Sequence, residues 1–90
     1  MLRAYGATIL PFKGDTLDFH SKANERKRQK LNRWIRHSGE YDAVIDFAAA
    51  VKDPEHPLRL LPRYDSGDHL HPNDAGMRAL ARAVPLRLFR

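Results

Sequence analysis

Asp68 and His71 are the residues whose types and spacing most directly suggest chemistry in this chain. Histidine is the usual general base near neutral pH, because its reference pKa lies close to that pH. It works when held in one tautomer, and a carboxylate bonded to Nδ1 does this while stabilising the imidazolium. In Asp68-His69-Leu70-His71-Pro72-Asn73-Asp74 the acid precedes the base by three residues. A turning backbone brings such a carboxylate back beside the ring, and Pro72 with the helix cap after it would hold the segment in place. Acid and base are two members of a nucleophile–base–acid triad. The plain alternative is a polar loop leading into a helix cap.

The third member is harder to place. The serines are Ser21, Ser38 and Ser66, and none stands in a Gly-Asp-Ser or Gly-x-Ser-x-Gly turn that would expose and activate it. Ser66 is nearest in sequence to the base and is the one candidate nucleophile, but its default role is a turn residue bonding the local backbone. Without nucleophile and oxyanion donors the largest catalytic terms are absent, so the chain alone should not be an efficient catalyst. His69 and His71, two apart, with Asp65, Asp68 and Asp74 nearby, also admit a metal site built on Asp65, His69 and His71. There are no cysteines, which excludes disulfides, thiolate catalysis and cysteine-based zinc sites.

The elements that must position Asp68 and His71 are legible around them. Residues 5–10, Tyr-Gly-Ala-Thr-Ile-Leu, read as a buried strand closed by Pro11, Gly14 and Asp15. Residues 21–37 contain no Gly or Pro, and Leu31, Trp34 and Ile35 share one helical face, so a helix is expected with Trp34 in the core. Ser38-Gly39 supplies its stop. Residues 41–47 read as a second strand, with Asp42 and Asp46 in capping or turn roles beside its apolar centre. Strand, helix and strand in this order predict a right-handed βαβ crossover with parallel strands. Residues 48–72 read as one long loop, because Pro54, Pro57 and Pro62 forbid long regular elements. Asn73 or Asp74 can cap a last helix over residues 74–84, with Met77, Leu80, Ala81 and Val84 as its apolar face and Pro85 as its end.

Ninety residues allow one domain at most, near the lower limit for a chain without staples. Two parallel strands want neighbours and cover on both faces, so exposed edges invite a homo-oligomer or pairing with another portion of chain. The net charge is +5, and seven bases fall between Lys22 and Arg36 with Glu25 as the only acid. Lys22, Arg26, Lys30 and Arg33 line one side of the helix and could meet phosphates, but no helix-turn-helix partner or stacking platform accompanies them. A solvated helix face is the expected role, and nucleic acid is not an expected partner. No apolar run approaches the roughly 20 residues that span a bilayer, and no signal-peptide layout is visible. The chain as given is expected in the cytoplasm, although a longer parent could be secreted.

The wider string 64–76, Tyr-Asp-Ser-Gly-Asp-His-Leu-His-Pro-Asn-Asp-Ala-Gly, resembles the last conserved block of the SGNH, or GDSL-type, esterase and lipase superfamily. Asp68, His71 and Pro72 meet the family's Asp-x-x-His-Pro. Residues 5–12, 31–36 and 41–47 resemble, in order, earlier segments of one bacterial branch of that superfamily. The resemblance implies a hydrolase of a small carboxylic ester, for instance an acetylated sugar or a short acyl ester, with His71 as base and Asp68 as its partner. It implies a flavodoxin-like three-layer α/β/α fold and no cofactor. The family's serine, and the glycine and asparagine of its oxyanion hole, lie in blocks before anything corresponding to Met1. The chain therefore resembles the C-terminal part of such an enzyme. A non-catalytic remnant or self-assembling module is the rival reading.

Overall fold

Residues 2–89 are described by a computed structural model. The chain runs β1 (Tyr5–Ala7), α1 (Lys22–His37), β2 (Ala43–Ile45), α2 (Phe47–Val51) and α3 (Asp74–Ala83), with short 3-10 turns at Pro62–Tyr64 and Leu86–Phe89. The two strands pair in parallel, Tyr5 with Ala43, Gly6 with Val44 and Ala7 with Ile45, on either side of the α1 crossover. The architecture is thus α/β, a parallel βαβ unit followed by helices, consistent with part of a flavodoxin-like fold. Among the described residues no helix is long and apolar enough to cross a membrane.

Both strands are shorter than the expected 5–10 and 41–47, for a reason the hydropathy pattern does not carry. After Thr8, whose amide still donates to the Ile45 carbonyl, the chain turns toward α1. The Ile9 amide donates to Asn32 Oδ1 at 2.8 Å, and its carbonyl accepts from Asn32 Nδ2 at 2.9 Å and Arg28 Nη1 at 3.1 Å. Side chains of α1 therefore satisfy the Ile9 backbone where strand pairing stops. Strand β2 ends because Asp46 becomes the N-cap of α2.

The face that α1 buries corrects the expectation from periodicity. Glu25, Arg28, Asn32 and Ile35 are buried, whereas Leu31 and Trp34 are 43% and 48% exposed. Trp34 does not enter the core; its ring meets Tyr41 edge-on, with centroids 5.8 Å apart. Glu25 and Arg28 neutralise each other, Arg28 Nη2 lying 2.9 Å from Glu25 Oε2, and Asn32 is satisfied by Ile9. A polar stripe can turn inward when every group on it has a partner. Ser21 Oγ starts this helix by accepting from the Asn24 amide, and Gly39, at φ +77°, releases the chain after it.

The expected 48–72 loop also needs correcting, since Phe47–Val51 is helical. Asp46 Oδ1 accepts from the Ala49 amide at 3.2 Å, and the Ala48-Ala49-Ala50 run has the highest helix propensity available. Thr8 joins this cap to β1. Its hydroxyl donates to Asp46 Oδ1 at 2.8 Å and accepts from the Ala48 amide at 2.9 Å. Arg36 completes the junction with bonds to both Asp46 oxygens, and the Asp46 carboxyl falls to about 2, chiefly through Arg36.

Val51, fully buried, meets Leu60 and Ala79 in the small core that carries α3, with Leu10, Tyr64 and Leu80 packed against it. The inward face of α3 is offset from the expected one. Gly76 and Ala79 are buried and Met77 is 55% exposed. Gly76 is the cause: a Cβ there would stand 2.6 Å from the Tyr64 carbonyl and 2.8 Å from Pro72 Cβ. The helix is drawn onto the chain just before it, and that chain carries the acid and the base.

Candidate active site

The segment between Tyr64 and α3 is a tight, locally bonded turn. At its base the Ser66 amide donates to the His71 carbonyl at 3.0 Å and the Asn73 amide to the Tyr64 carbonyl at 2.8 Å. Asn73 locks it to the helix. Its Oδ1 accepts from the Gly76 amide at 2.8 Å, and its Nδ2 donates to the carbonyls of Arg63 and Asp65. The turn needs two left-handed backbones, Gly67 at φ +108° and His69 at φ +60°. At His69 this costs on the order of 1–2 kcal/mol, offset by the bonds that the turn closes.

Asp68 is the centre of that bonding. Its Oδ1 accepts from the amides of Leu70 at 2.9 Å and His71 at 2.8 Å, and from the Ser66 hydroxyl at 2.9 Å. Its Oδ2 lies 2.6 Å from His71 Nδ1. The His71 amide, then the His71 ring and the Leu70 amide, hold the Asp68 carboxyl well below the usual carboxylate range. It is ionised at neutral pH and has no proton to give. Nδ1 therefore donates to it, which in the neutral ring leaves the lone pair on Nε2. His71 remains 67% exposed in its side chain, so an oriented imidazole stands at the surface.

A second pair of the same kind was not singled out from the sequence. Asp65, with a side chain only 7% exposed, accepts from the amides of Gly67 and His69 on Oδ1, and its Oδ2 lies 2.5 Å from His69 Nδ1. The signal was present as an Asp with Gly two residues on and His four residues on, the same side-chain turn that Asp68 makes. This pairing sets the two histidines on different carboxylates. Asp65 serves His69 and Asp68 serves His71, and among the described residues no group of three or more His, Asp or Glu side chains converges.

The serines are accounted for as well. Ser66 bonds the acid rather than the base, Ser21 caps α1, and Ser38 Oγ accepts from the Glu40 amide. None of the three has its hydroxyl on His71 in the described hydrogen bonds, so Ser66 is not placed as a nucleophile.

Beside His71 lies an open apolar depression of about 450 Å³, walled by Ile9, Phe12, Phe19, Leu70 and Pro72 with His71 itself. The loop that brings Phe12 and Phe19 here is tied to the site, because the Thr16 amide donates to the Asp68 carbonyl at 3.0 Å. Within that loop Asp15 accepts from the amides of Phe19 and His20, both at 2.8 Å. Burial pushes the Asp15 carboxyl up, but these bonds and the neighbouring His20 outweigh it, and the net shift is downward.

The family model described as GDSL-like Lipase/Acylhydrolase matches residues 2–84. The chain belongs to that family. The match takes in the Asp68–His71 turn, the apolar depression and every helix and strand, leaving only the last turn outside. No curated protein matches the chain. As an acylhydrolase-family member it holds Asp68 against the His71 ring within one tight turn. It is a hydrolase of the esterase and lipase type at the level of its family.

Proposed function

We propose that His71 is the general base and Asp68 its orienting partner in hydrolysis of a carboxylic ester. The observation that carries this reading is the 2.6 Å contact of Asp68 Oδ2 with His71 Nδ1, made by a carboxylate already fixed by two backbone amides. A serine hydroxyl adds to the ester carbonyl while His71 Nε2 takes its proton. The imidazolium returns that proton to the departing alkoxide, and the acyl group stays on the serine. A water then attacks the acyl-enzyme, losing its proton to the same nitrogen, which passes that proton to the departing serine oxygen as the acid is released. Ser21, Ser38 and Ser66 are all engaged elsewhere, so the nucleophile and oxyanion donors come from another portion of polypeptide, and the chain alone is inactive.

Two measurements test this. Incubation of the chain with a fluorophosphonate should leave its intact mass unchanged; a stoichiometric serine adduct, lost in His71→Ala, would overturn the claim that the nucleophile comes from elsewhere. Co-folding with a nucleophile-bearing N-terminal portion from the family should give p-nitrophenyl ester hydrolysis that falls by about 10⁴ or more in His71→Ala. Turnover unaffected by that substitution would refute the base assignment.

A second reading, a self-assembling module, is favoured by the exposure of Leu31, Trp34 and Val44 around a sheet of two strands. Sedimentation as a monomer at all concentrations would remove it.

A further inference from the structure

A second cleft, of about 260 Å³, opens between α1 and the chain that follows α2, and it shares no wall residue with the depression beside His71. Pro11, which follows β1, and Ala48, which follows β2, both line it. It therefore lies beyond the carboxyl ends of the parallel strands, where open α/β sheets hold ligands. Four cations stand in its wall, Arg28, Arg33 and Arg36 of α1 and Lys52 at the end of α2, and no carboxylate does. Two of the four are already neutralised, Arg28 by Glu25 and Arg36 by Asp46. Arg33 and Lys52 are exposed and have no carboxylate partner among the described residues. The cleft thus carries two positive charges in excess, brought from two different elements against their mutual repulsion. Its wall is also rich in donors. A guanidinium has five N–H groups. In Arg28, whose side chain is 8% exposed, the Nε group, one on Nη1 and one on Nη2 meet Glu25 and the Ile9 carbonyl. The other two have no partner among the described bonds. Asn32, 2% exposed, gives Oδ1 to the Ile9 amide and one Nδ2 hydrogen to the Ile9 carbonyl, which leaves its second N–H. Buried donors of this kind are satisfied by a ligand that only accepts, and best by a charged one.

We propose that this cleft binds a phosphate group, as the free ion or as the phosphoryl end of a small phosphomonoester. A phosphomonoester carries about −1.5 to −2 charges at pH 7 and presents three acceptor oxygens. That matches the two uncompensated cations and the donors left on Arg28 and Asn32, whereas a carboxylate brings one charge and two oxygens. Arg33 and Lys52 clamp the anion from α1 and from the end of α2, and Arg28 and Asn32 form the buried end of the site. Pro57 and Leu58 give the cleft an apolar edge against which an organic carrier can rest. The site is independent of the ester hydrolysis proposed above, and failure of either leaves the other standing.

The test titrates the ninety-residue chain with inorganic phosphate at constant ionic strength and follows it by NMR. Saturation with a Kd on the order of 1 mM is expected, with shifts concentrated at the Asn32 side-chain amide, Arg28 Nε, Arg33 and Lys52. Arg33→Ala and Lys52→Ala remove exposed side chains that make no described protein bond, and each should raise Kd about tenfold. Lys22→Ala and Arg26→Ala, on the same helix but outside the cleft, should leave Kd within about twofold. Acetate should bind about tenfold more weakly than phosphate, or worse. Tighter binding of glycerol 1-phosphate than of inorganic phosphate would name an organic carrier and equal binding the free ion, and either result upholds the site. No saturation by about 30 mM, an equal Kd for acetate, or a loss as large in Lys22→Ala and Arg26→Ala as in the cleft variants would each overturn the proposal. Displacement of phosphate by a short DNA duplex held through Lys22 and Arg26 would also overturn it, by naming nucleic acid as the occupant.

Discussion

Leu31 and Asn32 are neighbours on α1, and hydropathy would have the leucine matter and the asparagine not. The structure inverts this order, and the size of the inversion can be worked out. Asn32 is 2% exposed and makes two bonds to the Ile9 backbone. Asn32→Ala removes both, at about 1 kcal/mol each net, and strands the Ile9 amide without a partner, adding about 1 kcal/mol or more. The Ile9 carbonyl is spared, because Arg28 Nη1 still reaches it. Alanine's better helix propensity returns about 0.5 kcal/mol, leaving a loss of about 2.5 kcal/mol. Leu31, 43% exposed, has about half of its side chain to lose, so Leu31→Ala should cost about 1 kcal/mol. Had Leu31 been a core residue, the figure would be about 2–5 kcal/mol. Urea denaturation followed by far-ultraviolet circular dichroism reads the difference directly. With a slope of about 2 kcal/mol per molar, the Asn32→Ala midpoint should lie roughly 0.5–1 M below that of Leu31→Ala. Equal midpoints, or a lower one for Leu31→Ala, would refute the polar docking of α1.

Other outcomes follow from the geometry. The Asp46 carboxyl falls to about 2 in the folded chain against 3.8 for a free one, so its contribution is complete above about pH 4 and is lost as pH drops toward 2. With the side chain 38% exposed, screening reduces that contribution to about 1 kcal/mol; urea midpoints against pH should show this decline in the parent and not in Asp46→Asn. Gly76→Ala should destabilise by about 1–3 kcal/mol despite the gain in helix propensity, because its Cβ would meet the Tyr64 carbonyl at 2.6 Å; a raised thermal midpoint would contradict the close approach. Asp68→Asn should shift His71 from the Nδ1–H tautomer, read by long-range ¹⁵N imidazole correlations, and lower turnover of a co-folded enzyme by about 10⁴; an unchanged tautomer would mean that Asp68 does not set it.

Hydropathy and spacing reveal the order of the fold and the paired acid and base, because both are local in sequence. Residues three apart in a turn can meet, and a strand, a helix and a strand in that order cross over in parallel. The inward face of α1 is different. It depends on the Ile9 backbone, 23 residues from Asn32, wanting exactly the amide that Asn32 brings. No periodicity of apolar residues reports a stripe of satisfied polar ones. The offset on α3 has the same origin, since the absence of a side chain at Gly76 lets the helix approach, and absence carries no hydropathy. Helix α2 was more legible than it looked: Asp46 before three alanines is a cap followed by good helix formers, masked by the prolines that follow. The Asp65–His69 pair is not legible from residue types alone, because the turn that brings the carboxylate to the ring is set by backbone bonds to Gly67 and His69.

The junction at Asp46 fixes an order of assembly. Five residues are too few for α2 to nucleate alone, and its cap is complete only when Thr8, 38 residues earlier, has been brought alongside by strand pairing. Val51 of α2 in turn forms the bed on which Ala79 of α3 lies. The expected order of folding is therefore strands first, then α2, then α3. The side-chain contact of Asp68 with His71 needs none of this sequence of events, since the bonds to the Asp68 carboxylate span no more than three residues. The Asp68–His71 contact is thus expected to form locally and to be anchored later. In native-state hydrogen exchange the amides of Leu70 and His71 should open with the turn alone, while that of Ala48 should report the unfolding of the whole molecule.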